Sequence, residues 1–219
     1  MTEPNYCIRE FEINDDLCLD LHQIIEGQVS AVVWDASIVL ARYLIHRCNS
    51  SPKYLKGKNI LELGSGLGLC GMTACCLGAK SVLLTDLDEA IPLLQVNVDK
   101  NKEKFDKSTK VEVKALKWST EDAAKLIENE IFDVILVSDC IYYEESIEPL
   151  IETLVTLLKE KETKVLLAQE LRESQKQIDI FKKFIKTARE KIIFREISAA
   201  EQDPDYQCDE IMLYECSRK

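Results

Sequence analysis

Between Asn59 and Gln169 short, β-branched apolar runs alternate with longer helical patterns, and no other feature of this 219-residue chain restricts its folding as much. The predicted order is strand 59–63, helix 67–77, strand 81–86, helix 88–100, strand 111–116, a short helix 121–128, strand 132–138, helix 145–159 and strand 164–169. Parallel neighbours need a long crossover, which helices of this kind supply. Apolar strands separated by helices therefore predict an open parallel sheet covered on both faces.

The flanks extend this pattern. Residues 6–13 and 17–25 are strand-like around Asn14-Asp15-Asp16 and predict an N-terminal hairpin. From Trp34 to Cys48 the apolar residues Ile38, Val39, Ala41, Leu44 and Ile45 recur at helical spacing, which puts Trp34 and Asp35 at a helix start. Beyond Gln169 come a helix over 174–189, striped by Ile178, Phe181, Ile185 and Ala188, and two strands at 192–197 and 210–216. No helix fits in the polar, Pro204-containing segment between those strands, so they are expected to pair antiparallel. The expectation is an α/β, Rossmann-like fold: a seven-stranded, mostly parallel sheet with an antiparallel C-terminal hairpin and a small N-terminal β-hairpin. One domain is expected over 1–219, with an appendage at 1–30 and the seven-strand core at 31–219.

Composition narrows the class of function. The longest apolar stretch, 31–45, is interrupted by Asp35 and Arg42, short of the roughly 18 to 20 uncharged residues that cross a bilayer, so no membrane span is expected. The N-terminus lacks the basic and apolar regions of a secretory signal, and the nine cysteines are odd in number with no Cys-x-x-Cys pair. Buried thiols in a reducing compartment follow, in the cytoplasm or the nucleus. With only His22 and His46 present, no metal site is expected. A net charge of −11 argues against a nucleic-acid partner and is read either as ordinary solubility or as attraction to a cationic protein. Nothing in the sequence demands more than a monomer.

In an open α/β sheet ligands bind beyond the carboxyl ends of the strands, so the residues after each strand say most about function. The first parallel strand runs into Glu62-Leu63-Gly64-Ser65-Gly66-Leu67-Gly68. Alternate glycines permit a tight turn and close approach of the backbone to a ligand at a helix N-terminus, which implies a nucleotide-like cofactor. Gly66-Leu67-Gly68-Leu69-Cys70-Gly71 also fits a dinucleotide pattern, and glycines can serve merely to pack a helix on a strand, so the loop alone does not choose. The second strand ends in Asp86, whose two oxygens match a ribose diol; a helix-capping aspartate fits Asp88 better. The fourth ends in Ser138-Asp139-Cys140-Ile141-Tyr142-Tyr143. An acid and two phenols there are costly to bury unless they face a cleft; the competing reading makes Asp139 a helix cap with the tyrosines packed on it. Trp34 and Trp118 fall at junctions too, as core rings or as covers for a cofactor's adenine or amino-acid end.

Together these stations resemble the seven-β-strand methyltransferases, in particular the branch of protein-lysine methyltransferases that carries an Asp-x-x-Tyr motif. The resemblance rests on Val32-Val33-Trp34-Asp35-Ala36 with Ile38-Val39-Leu40, Leu61-Glu62-Leu63-Gly64-Ser65-Gly66, Thr85-Asp86-Leu87, Leu116-Lys117-Trp118 and Asp139-Cys140-Ile141-Tyr142, within residues 30–155. Inside that branch, Ser138 to Ser146 followed by Glu148-Pro149-Leu150 is more similar to the enzymes acting on valosin-containing protein than to those acting on chaperones or elongation factors. The resemblance implies S-adenosyl-L-methionine as cofactor, S-adenosyl-L-homocysteine as product, and a lysine of a protein substrate, a AAA ATPase of the valosin-containing protein type, as acceptor. It places Trp34, Gly64, Ser65, Gly66, Asp86, Trp118, the backbone of Ser138 and Tyr143 at the cofactor, with Asp139 and Tyr142 as catalytic residues. The segment Glu170-Leu171-Arg172-Glu173 has no close counterpart in the family, which makes it a candidate for substrate selection.

A lysine has a reference pKa near 10.4, so presenting the neutral amine at neutral pH costs on the order of 4 to 5 kcal/mol. An ordinary aspartate is far too weak a base to hold that proton. Asp139 is therefore expected to orient the amine, directly or through the cofactor's own amino group, with Tyr142 as a wall and a hydroxyl. Other readings stay open: the same fold acting on a chaperone, an elongation factor, a nucleic acid or a small molecule, or a non-catalytic S-adenosylmethionine-binding module that regulates a partner. A nicotinamide-dependent oxidoreductase would satisfy the glycines but leave Trp34, Trp118 and Asp139-Cys140-Ile141-Tyr142 unexplained.

Overall fold

The computed structural model describes residues 6–24, 29–159 and 162–219. Strands β1 (Cys7–Asn14) and β2 (Leu17–Gln23) form the expected antiparallel hairpin; its expected extension to residue 25 lies outside the described residues. Helix α1 (Asp35–Ser50) follows, with Trp34 at its N-cap. The alternating region then gives β3 (Asn59–Leu63), α2 (Leu69–Cys76), β4 (Ser81–Asp86), α3 (Ile91–Asn101), β5 (Lys110–Ala115), α4 (Thr120–Asn129), β6 (Val134–Ser138), α5 (Ile147–Leu157) and β7 (Lys164–Glu170). The chain closes with α6 (Gln175–Ala188), β8 (Ile192–Glu196) and β9 (Ile211–Arg218).

The seven-stranded sheet has the order β5-β4-β3-β6-β7-β9-β8, parallel except for β9, which runs antiparallel to both neighbours. Sequence accounts for the places. Strands β3, β4, β6 and β7 carry apolar side chains on both faces and are buried along most of their length, as central parallel strands must be. The lysines and glutamate of β5, and the Arg195-Glu196 end of β8, sit at the two sheet edges, where charge discourages further pairing. The hairpin, α1, α2 and α3 build the core on one face; α4, α5 and α6 build it on the other.

Two amides one helical turn apart dock the hairpin on α3. Asn97 accepts from the His22 N–H at 2.8 Å and donates to the His22 carbonyl at 3.1 Å. Asn101 does the same with Asp20, at 2.8 and 2.9 Å. Helix side chains thus satisfy the free edge of β2 in place of a third strand.

Some element ends differ from expectation. Helix α3 begins at Ile91, because the Ala90 N–H closes a turn on the Leu87 carbonyl and Pro92 occupies the first helical turn, so Asp88 is not its cap. A single 3-10 turn, Glu144–Ser146, precedes α5, which stops at Leu157. The link between β8 and β9 is not helix-free: it holds two 3-10 turns, Ala199–Glu201 and Pro204–Tyr206. A capping box between Ser198 and Glu201 explains the first, and its Ser-x-x-Glu spacing was readable in the sequence.

Candidate active site

Strand order reverses at the centre of the sheet, where β3 has β4 on one side and β6 on the other, and a crevice opens beyond their carboxyl ends. A cleft of about 490 Å³ lies there, within the usual range for small-molecule sites. Its lining includes Trp34, Gly64, Gly66, Asp86, Trp118, Ser138, Asp139, Tyr142 and Tyr143, joined by Arg172 and Gln177. Of the expected site residues, Ser65 alone is not on this wall. Its buried hydroxyl accepts the Thr85 N–H at 3.0 Å and ties the loop to β4, so its side chain serves the loop's shape.

The cofactor end is shaped by backbone. Gly64 and Gly66 have φ of +62° and +54°. A Cβ on Gly64 would lie 2.6 Å from Cys140 Sγ and 3.3 Å from the Trp118 ring, so only glycine fits. Asp86 accepts the Gly66 N–H through Oδ2 and the Leu87 N–H through Oδ1, both at 2.7 Å. Each oxygen keeps a lone pair for a further donor, as a vicinal diol requires. Burial pushes the Asp86 carboxyl above the usual carboxylate range, although those two N–H groups oppose the shift.

The opposite end is built around Asp139, the one non-glycine residue with positive φ (+52°) among the described residues. Its side chain is 2% exposed and is held from both sides. Gln169 Nε2 donates to Oδ1 at 2.7 Å, and the Arg172 guanidinium pairs with Oδ2. Gln169 Oε1 also accepts the Ile141 N–H at 3.0 Å, which fixes the loop that carries the two tyrosines. Arg172 lies 3.3 Å from Glu170 Oε2, and its guanidinium carbon is 4.6 Å from the centre of the Trp34 ring. The Trp34 Nε1–H donates to the Val29 carbonyl at 2.8 Å, which orients the indole. Burial raises the Asp139 carboxyl, Arg172 opposing it, and pushes Tyr142 up to about 12. Helix α5 starts beyond Ser146, so Asp139 does not cap it, and the competing helix-cap reading falls.

The family's sequence profile, described as lysine methyltransferase, matches residues 13–190. The chain belongs to the lysine methyltransferase family. It is 40% identical over 144 residues to the protein N-lysine methyltransferase METTL21A of Xenopus tropicalis, covering 66% of this chain and 62% of that protein. It is 31% identical over 159 residues to the calmodulin-lysine N-methyltransferase of Arabidopsis thaliana, covering 72% and 49%. The chain thus spans less than two thirds of either relative's length. Among solved structures, SMU.776 complexed with SAH matches all of this chain and 57% of its own at a TM-score of 0.58 and 12% identity, a likeness of fold.

For this lysine methyltransferase family member, the cleft fits the family's cofactor, S-adenosylmethionine. The Gly64 cradle would be filled by a Cβ, Asp86 has acceptor capacity to spare, and the half-buried Trp34 and Trp118 flank the space. Gln169 was missed in the sequence, and Arg172 was flagged only with its segment. Register was the signal: Ser138 pairs with Ala168, so Asp139 and Gln169 are the next residues across the same two strands.

Glu62, fully buried behind the glycine loop, accepts the Gly71 N–H at 3.0 Å, and burial lifts its carboxyl to about 8. The folded state holds this proton more tightly than the unfolded chain. Its stabilising contribution is therefore complete below the ordinary glutamate range and is lost as pH rises to about 8. Thermal melts over that window are expected to show stability falling by an order of a few kcal/mol, a slope that Glu62→Gln removes. An unchanged slope in the variant would show that Glu62 does not titrate in this way.

Proposed function

We propose that the chain is an S-adenosylmethionine-dependent protein-lysine N-methyltransferase. The observation that carries this is the opening of the glycine loop, Asp86, both tryptophans and the Asp139–Tyr142 turn into one cleft. The cofactor supplies an electrophilic methyl group on a cationic sulfonium. In-line transfer needs no covalent enzyme intermediate, so the protein's task is to hold the acceptor in a near-attack geometry. Asp86 takes the ribose hydroxyls, Gly64 and Gly66 let the backbone approach, and Trp34 and Trp118 cover the flanks. Asp139 orients the amine, and Tyr142, its hydroxyl kept protonated by burial, forms the wall of the lysine channel. A narrow, partly apolar channel lowers the lysine pKa by desolvation.

The proposed acceptor is a lysine of a AAA ATPase of the valosin-containing protein type. Support comes from the segment Ser138 to Ser146 with Glu148-Pro149-Leu150, and from a net charge of −11 that attracts a cationic surface. Purified ATPase of that type and calmodulin, each incubated with the protein and methyl-labelled S-adenosylmethionine, test the choice. Label on the ATPase is expected. Label on calmodulin alone would overturn the substrate while leaving the chemistry in place.

A further inference from the structure

Arg172 belongs to the short segment after β7, yet it reaches back across the cleft to the turn after β6. Three groups hold it there: the Asp139 carboxylate, Glu170 Oε2 at 3.3 Å and the Trp34 ring at 4.6 Å. Its Nε is shut off from solvent and has no hydrogen-bond partner among the described residues, so the side chain is held through Nη2, which meets both carboxylates, and through its flat face. Asp139, only 2% exposed on its side chain, sits where an ionised carboxylate is costly without a partner.

We propose that Arg172 is a positioning residue, which keeps the Asp139 carboxylate ionised and turned to the cleft so that it can receive the cationic groups of the site. This rests on the methyltransferase reading above, because those groups are the cofactor's amino group and the substrate's amine. Four titratable groups act on or feel the Asp139 charge: Glu170 at the end of β7 and Arg172 just beyond it, and Cys140 and Tyr142 from its own turn. Burial holds Cys140 and Tyr142 in their neutral forms, and Glu170 repels. Arg172 is the cation that opposes burial and the Glu170 charge alike, and Trp34, fixed by its bond to Val29, holds Arg172 in place. Removing the guanidinium leaves desolvation and repulsion opposed only by neutral donors, the Gln169 amide and the Glu170 N–H, so the carboxyl takes up a proton at higher pH.

The test is the affinity for S-adenosylhomocysteine, measured by calorimetry as pH is lowered, in the parent protein, Arg172→Gln, Arg172→Lys and Glu170→Gln. Arg172→Gln is expected to bind about tenfold or more weakly, with the acid limb of the affinity profile moved to higher pH. Arg172→Lys restores the position of that limb, because it restores the charge, and regains affinity only in part, because it lacks the planar fork. Glu170→Gln moves the limb to lower pH, and this variant carries the test should Arg172→Gln fail to fold. A residue that merely packs would alter melting temperature without moving the limb. Parent-like affinity and pH dependence in Arg172→Gln, or in Glu170→Gln where that variant carries the test, would overturn this inference alone. Failure of the parent protein to bind S-adenosylhomocysteine would overturn the cofactor reading and this inference with it.

Discussion

Asp139→Asn is expected to lower methyl transfer to the protein substrate by about 100-fold or more in a protein that still folds, with a melting temperature lowered by the loss of the buried ion pair. The substitution separates charge from shape. An asparagine side chain has the same outline as the aspartate it replaces, and asparagine tolerates the left-handed backbone (φ +52°) that Asp139 adopts, so the turn is preserved. The new amide oxygen can still accept the Gln169 Nε2–H. What disappears is the negative charge that balances Arg172 and that, in the proposed mechanism, receives an amine. Removing one partner of a buried ion pair leaves the other uncompensated, so Arg172 is expected to turn toward Glu170 and loosen from Trp34. Steady-state turnover with S-adenosylhomocysteine affinity measured in parallel checks this. Full turnover with normal cofactor binding would remove Asp139 from the mechanism.

Gly64→Ala is expected to weaken S-adenosylhomocysteine binding by about 100-fold or more. Two effects combine. The left-handed backbone at φ +62° costs about 1 to 2 kcal/mol with any Cβ present. The methyl group would also stand 2.6 Å from Cys140 Sγ and 3.3 Å from Trp118, so it displaces the turn that carries Asp139 or the indole that covers the cleft. Gly57→Ala is the control. Gly57 has φ +78° but nothing within 4 Å of its Cβ position, and it shares the backbone strain without touching the cleft. It is expected to lower the melting temperature by several degrees and leave affinity unchanged. Equal affinity losses in the two variants would mean that the glycine loop acts only through stability.

Much of this could be read from the residues because it is local. The strand–helix alternation gave the sheet, since strands buried on both faces are apolar throughout and need long crossovers. Asp86 ends a strand, and Gly64, Gly66, Trp118 and Asp139 lie within three residues after one; topology brings strand ends together whatever lies between. Less legible were features that depend on partners distant in sequence. Ser65 is placed at the cofactor by the family resemblance, but its hydroxyl turns to Thr85. Arg172 is 33 residues from Asp139 and joins it only because β6 and β7 are neighbours in register. The start of α3 was misplaced by three residues because Leu87 to Ala90 form a turn before the helix, and Asp88 resembles a cap without being one.

The most direct measurement is the fate of the methyl group itself: the protein is incubated with labelled S-adenosylmethionine and whole-cell extract, and the labelled residue is identified by mass spectrometry. Label on the ε-nitrogen of lysine in one discrete protein, strongly diminished with Asp139→Asn, is the expected result. Label confined to RNA or small molecules, or label on lysine that is undiminished by Asp139→Asn, would contradict it.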